Sequence, residues 1–156
     1  MPARPDSGPV VIDGDRCHVI DDVDAIAPFM VSLTSVSDVW AFLTSNGGIT
    51  AGRRSSDHAI FPYFTEDLVR DASQTTGSAT VITGTDAAGQ PVTWEPFGPT
   101  HPNLPRVHRA MMKTDLGDVV HLQETHDALG LTFRVTWRVS PRFGLVRTAT
   151  LEHAAG

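Results

Sequence analysis

Cysteine, lysine and tyrosine each occur once in these 156 residues, as Cys17, Lys113 and Tyr63. A single cysteine excludes an intramolecular disulfide and fits a reducing compartment. No apolar run approaches the roughly 20 residues of a membrane-spanning helix. The opening Met-Pro-Ala-Arg-Pro-Asp-Ser-Gly-Pro also lacks the apolar core of a secretory signal, so the cytoplasm is the expected location. Positive charge is scarce: 12 basic against 18 acidic residues give −6, which argues against nucleic acid as a partner. The basic side chains are nearly all arginine, which suits bidentate recognition and is equally the mark of a G+C-rich coding sequence. Helical periodicity is missing as well, beyond a turn or two.

What is present is alternation. Phe133, Val135, Trp137 and Val139 interleave with Thr132, Arg134, Thr136 and Arg138, the pattern of a half-buried antiparallel strand. Four strands are expected at 106–114, 119–125, 131–140 and 144–152, with turns at Asp115-Leu116-Gly117-Asp118 and Ser140-Pro141-Arg142-Phe143-Gly144. Earlier, Val10–Ile12 and Arg16–Ile20 flank Asp13-Gly14-Asp15, a hairpin signal. Further strands are expected at 29–35, 39–44, 78–85 and 91–94, with short strand pieces at 49–51 and 59–61 within the glycine-rich loop, and Thr65 is placed to cap a helical turn through Val69. Residues 1–9 read as a flexible arm and 95–105 as irregular, with four prolines. The expected fold is an all-β antiparallel sandwich over residues 10–156, with one long glycine-rich loop and a short helical turn. The sequence stops at the end of a good strand, so the sandwich is read as the incomplete front part of something longer.

No motif supplies a catalytic apparatus. The seven histidines lack metal-site spacing. Pairing 106–114 with 119–125 across Leu116-Gly117 sets Met112 opposite His121 and His108 opposite Thr125, which joins no two histidines. Glu66 and Asp67 are adjacent and would diverge by about 100° on a helix, so they read as acids at a positive helix end. Glu95 and Glu124 stand isolated. Phosphate-loop, dinucleotide and nucleophile-elbow patterns are all missing. Trp40, Trp94 and Trp137 read as core or sheet-face residues rather than a sugar platform. Catalytic residues, metal and cofactor are therefore expected to be none.

Residues 45–71 are the most informative stretch. A glycine-rich turn (Asn46, Gly47, Gly48, then Gly52) runs into Arg53 and Arg54, then Phe61-Pro62-Tyr63-Phe64, then Glu66, Asp67 and Asp71. Glycines let backbone amides approach a ligand, arginines bind oxyanions and hydroxyls, and aromatic faces stack on rings. Two readings stand side by side. One is a surface loop with solvated arginines and aromatics plugging the core. The other is a binding loop whose substrate contacts are Asn46, Gly47, Gly48, Arg53, Arg54, Tyr63 and Phe64.

The order of these motifs carries a resemblance. Ser45-Asn46-Gly47-Gly48, an arginine link, the aromatic stretch ending in Glu66-Asp67, Gly77 before the next strand, Trp94-Glu95-Pro96, and the closing Trp137-Arg138-Val139-Ser140 and Val146–His153 follow one another over roughly residues 28–153. Together they resemble the N-terminal β-sandwich domain of cellobiose phosphorylases, and more closely the large bacterial proteins labelled cellobiose-phosphorylase-like. The resemblance implies a galactose mutarotase-like supersandwich. It further implies a non-catalytic role: supporting a C-terminal catalytic (α/α)6 barrel, helping form a homodimer, and lending a loop to the active site. There a β-linked disaccharide or oligosaccharide would be cleaved with inorganic phosphate or hydrolysed. By that analogy Asn46, Gly47, Gly48, Arg53 and Arg54 would edge a sugar or phosphate pocket. A stand-alone carbohydrate-binding module using Arg53, Tyr63 and Phe64 is the alternative, and a dimerisation scaffold pairing through 144–152 is a third.

Overall fold

The computed structural model describes residues 9–86, 88–99 and 107–153. Its elements in chain order are β1 (Pro9–Ile12), β2 (Asp15–Ile20), β3 (Met30–Leu33), β4 (Val39–Thr44), β5 (Ile49–Arg53), β6 (Ala59–Phe61), α1 (Glu66–Asp71), β7 (Ile82–Thr85), β8 (Pro91–Trp94), β9 (Val107–Thr114), β10 (Val119–His126), β11 (Leu131–Ser140) and β12 (Gly144–His153). The strands form three antiparallel sheets, ordered β1-β2-β9-β10-β11-β12, β3-β4-β5-β6 and β7-β8. The architecture is an antiparallel β-sandwich. Of the expected arm only Pro9 is described, and it opens β1; residues 1–8, 100–106 and 154–156 of the expected elements lie outside the described residues. Among the described residues no helix is long and apolar enough to cross a membrane.

Alternation decides which face each strand buries. Val120, Leu122, Phe133, Val135, Trp137 and Met111 lie on one face of the six-stranded sheet, as their cross-strand pairing requires. They pack against Leu33, Ala41, Leu43, Ile49 and Ala51 of the four-stranded sheet, with Trp94 of β8 closing one end. The β9–β10 register sets Met112 opposite His121 and His108 opposite Thr125, as the turn at Leu116-Gly117 predicts. The two-residue turn Asp13-Gly14 has both residues at positive φ, 53° and 90°, matching the twist of a tight hairpin.

The glycine-rich stretch of 45–71 carries the short strand pieces expected at 49–51 and 59–61, as β5 and β6, and Gly48 and Gly52 let neighbours approach where a side chain would block them. A Cβ at Gly48 would lie 2.5 Å from the Val69 carbonyl oxygen of α1, and one at Gly52 would lie 2.5 Å from the Trp40 ring. The strand expected over 78–85 shortens to Ile82–Thr85, since β8 offers only four partners. Thr65 does precede α1, but its hydroxyl donates to the Asp67 carboxylate at 2.6 Å rather than capping a backbone amide.

The outer face of the six-stranded sheet has a small core of its own, Cys17, Val19 and Met112. Arg138 of β11 reaches Asp15 of β2 at 3.4 Å across two intervening strands, so the sheet curls and draws the hairpin tip toward β11. His121 is sealed beneath this curl at 1% exposure. Its Nδ1 is 2.8 Å from the Thr136 hydroxyl, and Nε2 has no partner. Burial, and secondarily the positive charge of Arg134, push its pKa below the usual histidine value.

Two outcomes follow from the packing. Gly48→Ala should cost about 1–3 kcal/mol by forcing α1 off the sheet, whereas Gly84→Ala, whose Cβ meets nothing within 4 Å, should stay within about 0.5 kcal/mol of wild type; urea midpoints compare them. Below about pH 6.5 the unfolded chain protonates His121 more readily than the folded one does, so stability should fall as pH drops through that value. His121→Gln should flatten this slope in midpoints measured from pH 7.5 to 5.5; an unchanged slope would contradict the assignment.

Candidate functional site

The residues singled out in the sequence spread along β5: Asn46, Gly47 and Gly48 precede it and Arg53 and Arg54 stand at its other end, roughly 16 Å away at about 3.3 Å per residue, with Tyr63 and Phe64 alongside it. At the first end, Thr44 and Gly48 close the β4–β5 turn through Thr44 N–H to Gly48 O and Gly47 N–H to Thr44 O. Gly47 takes φ 93°, as the αL position of such a turn requires. Asn46 Nδ2 donates to the Arg70 carbonyl at 2.9 Å and to Ser73 Oγ at 3.2 Å, tying the turn to the end of α1. At the other end, Arg53 and Arg54 both reach the Asp38 carboxylate, at 3.2 and 3.4 Å. Tyr63 stands exposed, edge-on to Trp40 at 5.7 Å. The Phe64 amide donates to Thr50 Oγ1, whose hydroxyl in turn donates to the Pro62 carbonyl, stitching the aromatic stretch to β5. The structure therefore does not gather all seven residues round one ligand.

Each end of β5 opens onto a different concavity. Beside Arg53 lies a groove of about 340 Å3 with Phe61, Trp137, Leu145 and the exposed Ile60 and Phe143 along it. Beside Asn46 and Gly47 lies a more enclosed cavity of about 90 Å3 between the sheets. Its apolar floor is Leu122, Phe133, Val135 and Trp137, and its polar wall is the segment Ser73–Thr80. Arg147, Trp137 and Ser78 line both spaces, so Arg147 stands between groove and cavity. Five buried side-chain polar atoms among the described residues have no partner, and three of them, Asn46 Oδ1, Thr76 Oγ1 and Arg147 Nε, belong to the cavity lining. An unmet buried polar atom costs about 1–3 kcal/mol, so this concentration marks a place that a guest would relieve.

A buried carboxylate holds the cavity's far rim. Glu124, 1% exposed, accepts from Trp94 Nε1 at 2.7 Å, from the Phe97 amide at 2.8 Å and from Arg109 Nε at 2.6 Å. Arg109 also donates to the Gly98 carbonyl at 2.8 Å and faces Asp24 at 3.6 Å. Burial raises the Asp24 pKa, and the Arg109 charge opposes that rise. Phe97 sits at φ 62°, an unusual conformation for a bulky residue, with its ring against Phe133. Sequence reasoning left Glu124 isolated. The signal was available: the register that sets Met112 opposite His121 also sets Arg109 opposite Glu124.

Chemically the arrangement can bind but offers no acid pair. Glu95 is the one carboxylate in the cavity lining and is exposed, while both oxygens of Glu124 are occupied by donors. Among the described residues no three histidine, cysteine or acidic side chains converge as a metal site would need. His108 instead lies between two acids, with Asp22 at 3.5 Å and Asp127 at 3.2 Å.

Glu124→Gln should cost about 3 kcal/mol, because it leaves the buried Arg109 charge with only the partly exposed Asp24 carboxylate at 3.6 Å. Urea denaturation at pH 7 measures it, and a loss under about 1 kcal/mol would reduce the pair to the worth of an exposed one.

No family model matches this chain, and the comparison with curated proteins finds no match.

Proposed function

We propose that this chain is a non-catalytic β-sandwich layer of a carbohydrate-active protein similar to the cellobiose-phosphorylase-like group, with a galactose mutarotase-like supersandwich as its fold type. In this reading it lines a sugar site and supports a catalytic domain that performs the phosphorolysis or hydrolysis of a β-linked disaccharide or oligosaccharide. The observation that carries it is the groove beside Arg53, whose size and aromatic lining suit a ligand with apolar ring faces and a few hydroxyls. Phe61 and Phe143 would meet the ring faces, and Arg53 the hydroxyls. In this reading the bond-breaking acids come from another domain.

One observation favours a second reading, a stand-alone binding or dimerisation module. The second half of β12, from Thr148 to His153, is exposed along the edge of the six-stranded sheet, where another strand could pair.

Titration calorimetry with cellobiose and other β-linked disaccharides tests the proposal. Heat is expected at millimolar sugar, and Arg53→Ala or Phe143→Ala, both at exposed positions, should weaken binding roughly tenfold, or about 1.4 kcal/mol. No heat with any such sugar would retire the sugar site. Robust phosphate turnover by this chain alone would retire the non-catalytic role.

A further inference from the structure

Four described arginines are buried or half-buried: Arg70, Arg109, Arg134 and Arg147. Three of them donate to a carbonyl, carboxylate or amide oxygen, from Pro28, Glu124 and Gln123 respectively. Arg147 differs. It lies opposite Trp137 on the inner face of the six-stranded sheet. Its only acceptor among the described residues is a hydroxyl, Thr80 Oγ1 at 2.8 Å from Nη2, and its Nε is buried without a partner among them. Among the described residues no carboxylate lies within ion-pairing distance of it. Burial alone draws its pKa down, with no neighbouring charge offsetting the effect. A guanidinium stays charged even so, and buried charges in proteins are paired.

The surroundings fit an anion. The wall from Ser73 to Thr80 contains four hydroxyl side chains besides Ser73 and no charged residue. Thr76 within it is 4% exposed, with an unpartnered hydroxyl. A volume of about 90 Å3 corresponds to about three waters, or to one carboxylate or phosphate group with little room beyond. Glu95, the one acid in the lining, is exposed rather than buried beside Arg147.

We propose that the inter-sheet cavity beside Arg147 binds one small oxyanion, the carboxylate or phosphate group of a ligand, with Arg147 as its charge partner and the Thr76 and Thr80 hydroxyls as hydrogen-bond donors. Arg147, Trp137 and Ser78 also border the sugar groove, but the oxyanion site does not rest on sugar binding there. Asn46 Oδ1, an unmet acceptor in the same lining, favours an oxyanion that also carries a hydroxyl.

Nitrogen-15 NMR of the full chain tests this, following Arg147 Nε–H and the Trp137 indole. Inorganic phosphate and acetate are titrated separately, with sodium chloride holding ionic strength constant. A saturable shift of both signals with phosphate, acetate or both is expected, and the arm that saturates names the group. Arg147→Met should abolish it, and Thr76→Val, which removes a hydroxyl with no present partner, should weaken it several-fold while leaving the spectrum folded. The sugar binding, weakened in Phe143→Ala, should survive Thr76→Val unchanged. No saturable shift in either arm would overturn the site. So would a response that Thr76→Val and Arg147→Met both leave intact.

Discussion

The Glu124 carboxylate fixes the end of the sandwich where the candidate site lies. Three donors from three elements converge on it: the Trp94 indole of β8, the Phe97 amide beyond it, and the Arg109 guanidinium of β9. Taking a carboxylate and a guanidinium out of water costs several kcal/mol for each ion, and only near-complete hydrogen bonding offsets it. Here much of the offset comes from groups of the 94–98 segment, so that segment cannot leave without stripping the buried pair of the Trp94, Phe97 and Gly98 hydrogen bonds. The same bonds hold Phe97 in its left-handed conformation, a strain of about 1–3 kcal/mol. Its ring thereby packs on Phe133 at the cavity floor.

From that anchor the rest of the site follows by packing. Gly47 approaches Phe97 so closely that a Cβ there would lie 3.2 Å from the Phe97 Cβ. The β4–β5 turn thus rests on the pinned segment, and Asn46 carries the constraint on to α1. Arg147 faces the same space from β12. The cavity here is lined by hydroxyls and by one cation without an ion-pair partner among the described residues. The groove and the cavity are separated by the Arg147 side chain, yet they ask for different chemistry, aromatic and hydroxyl on one side and oxyanion on the other.

Much of the sandwich was legible in the sequence. Strict alternation over 131–140 and the turn residues at Asp13-Gly14 and Leu116-Gly117 gave strands, faces and register, because side-chain period and turn chemistry are local properties. The 45–71 stretch was harder. Its turn and its short strands at 49–51 and 59–61 were legible, but that Gly48 and Gly52 stand where Val69 and Trp40 come close is a relation visible only in three dimensions. The Arg109–Glu124 pair was within reach of register arithmetic. Arg147 was not: its facing Trp137 follows from strand pairing, whereas its lack of a carboxylate depends on where the segment 73–80 folds.

Amide and indole hydrogen exchange tests the anchoring role of Glu124 most directly. If the carboxylate pins the 94–98 segment, the Phe97 amide and the Trp94 indole should exchange about as slowly as the β9–β10 ladder amides, through global unfolding alone. Exchange of those two protons orders of magnitude faster than the ladder would show a segment that opens on its own, and would contradict the account.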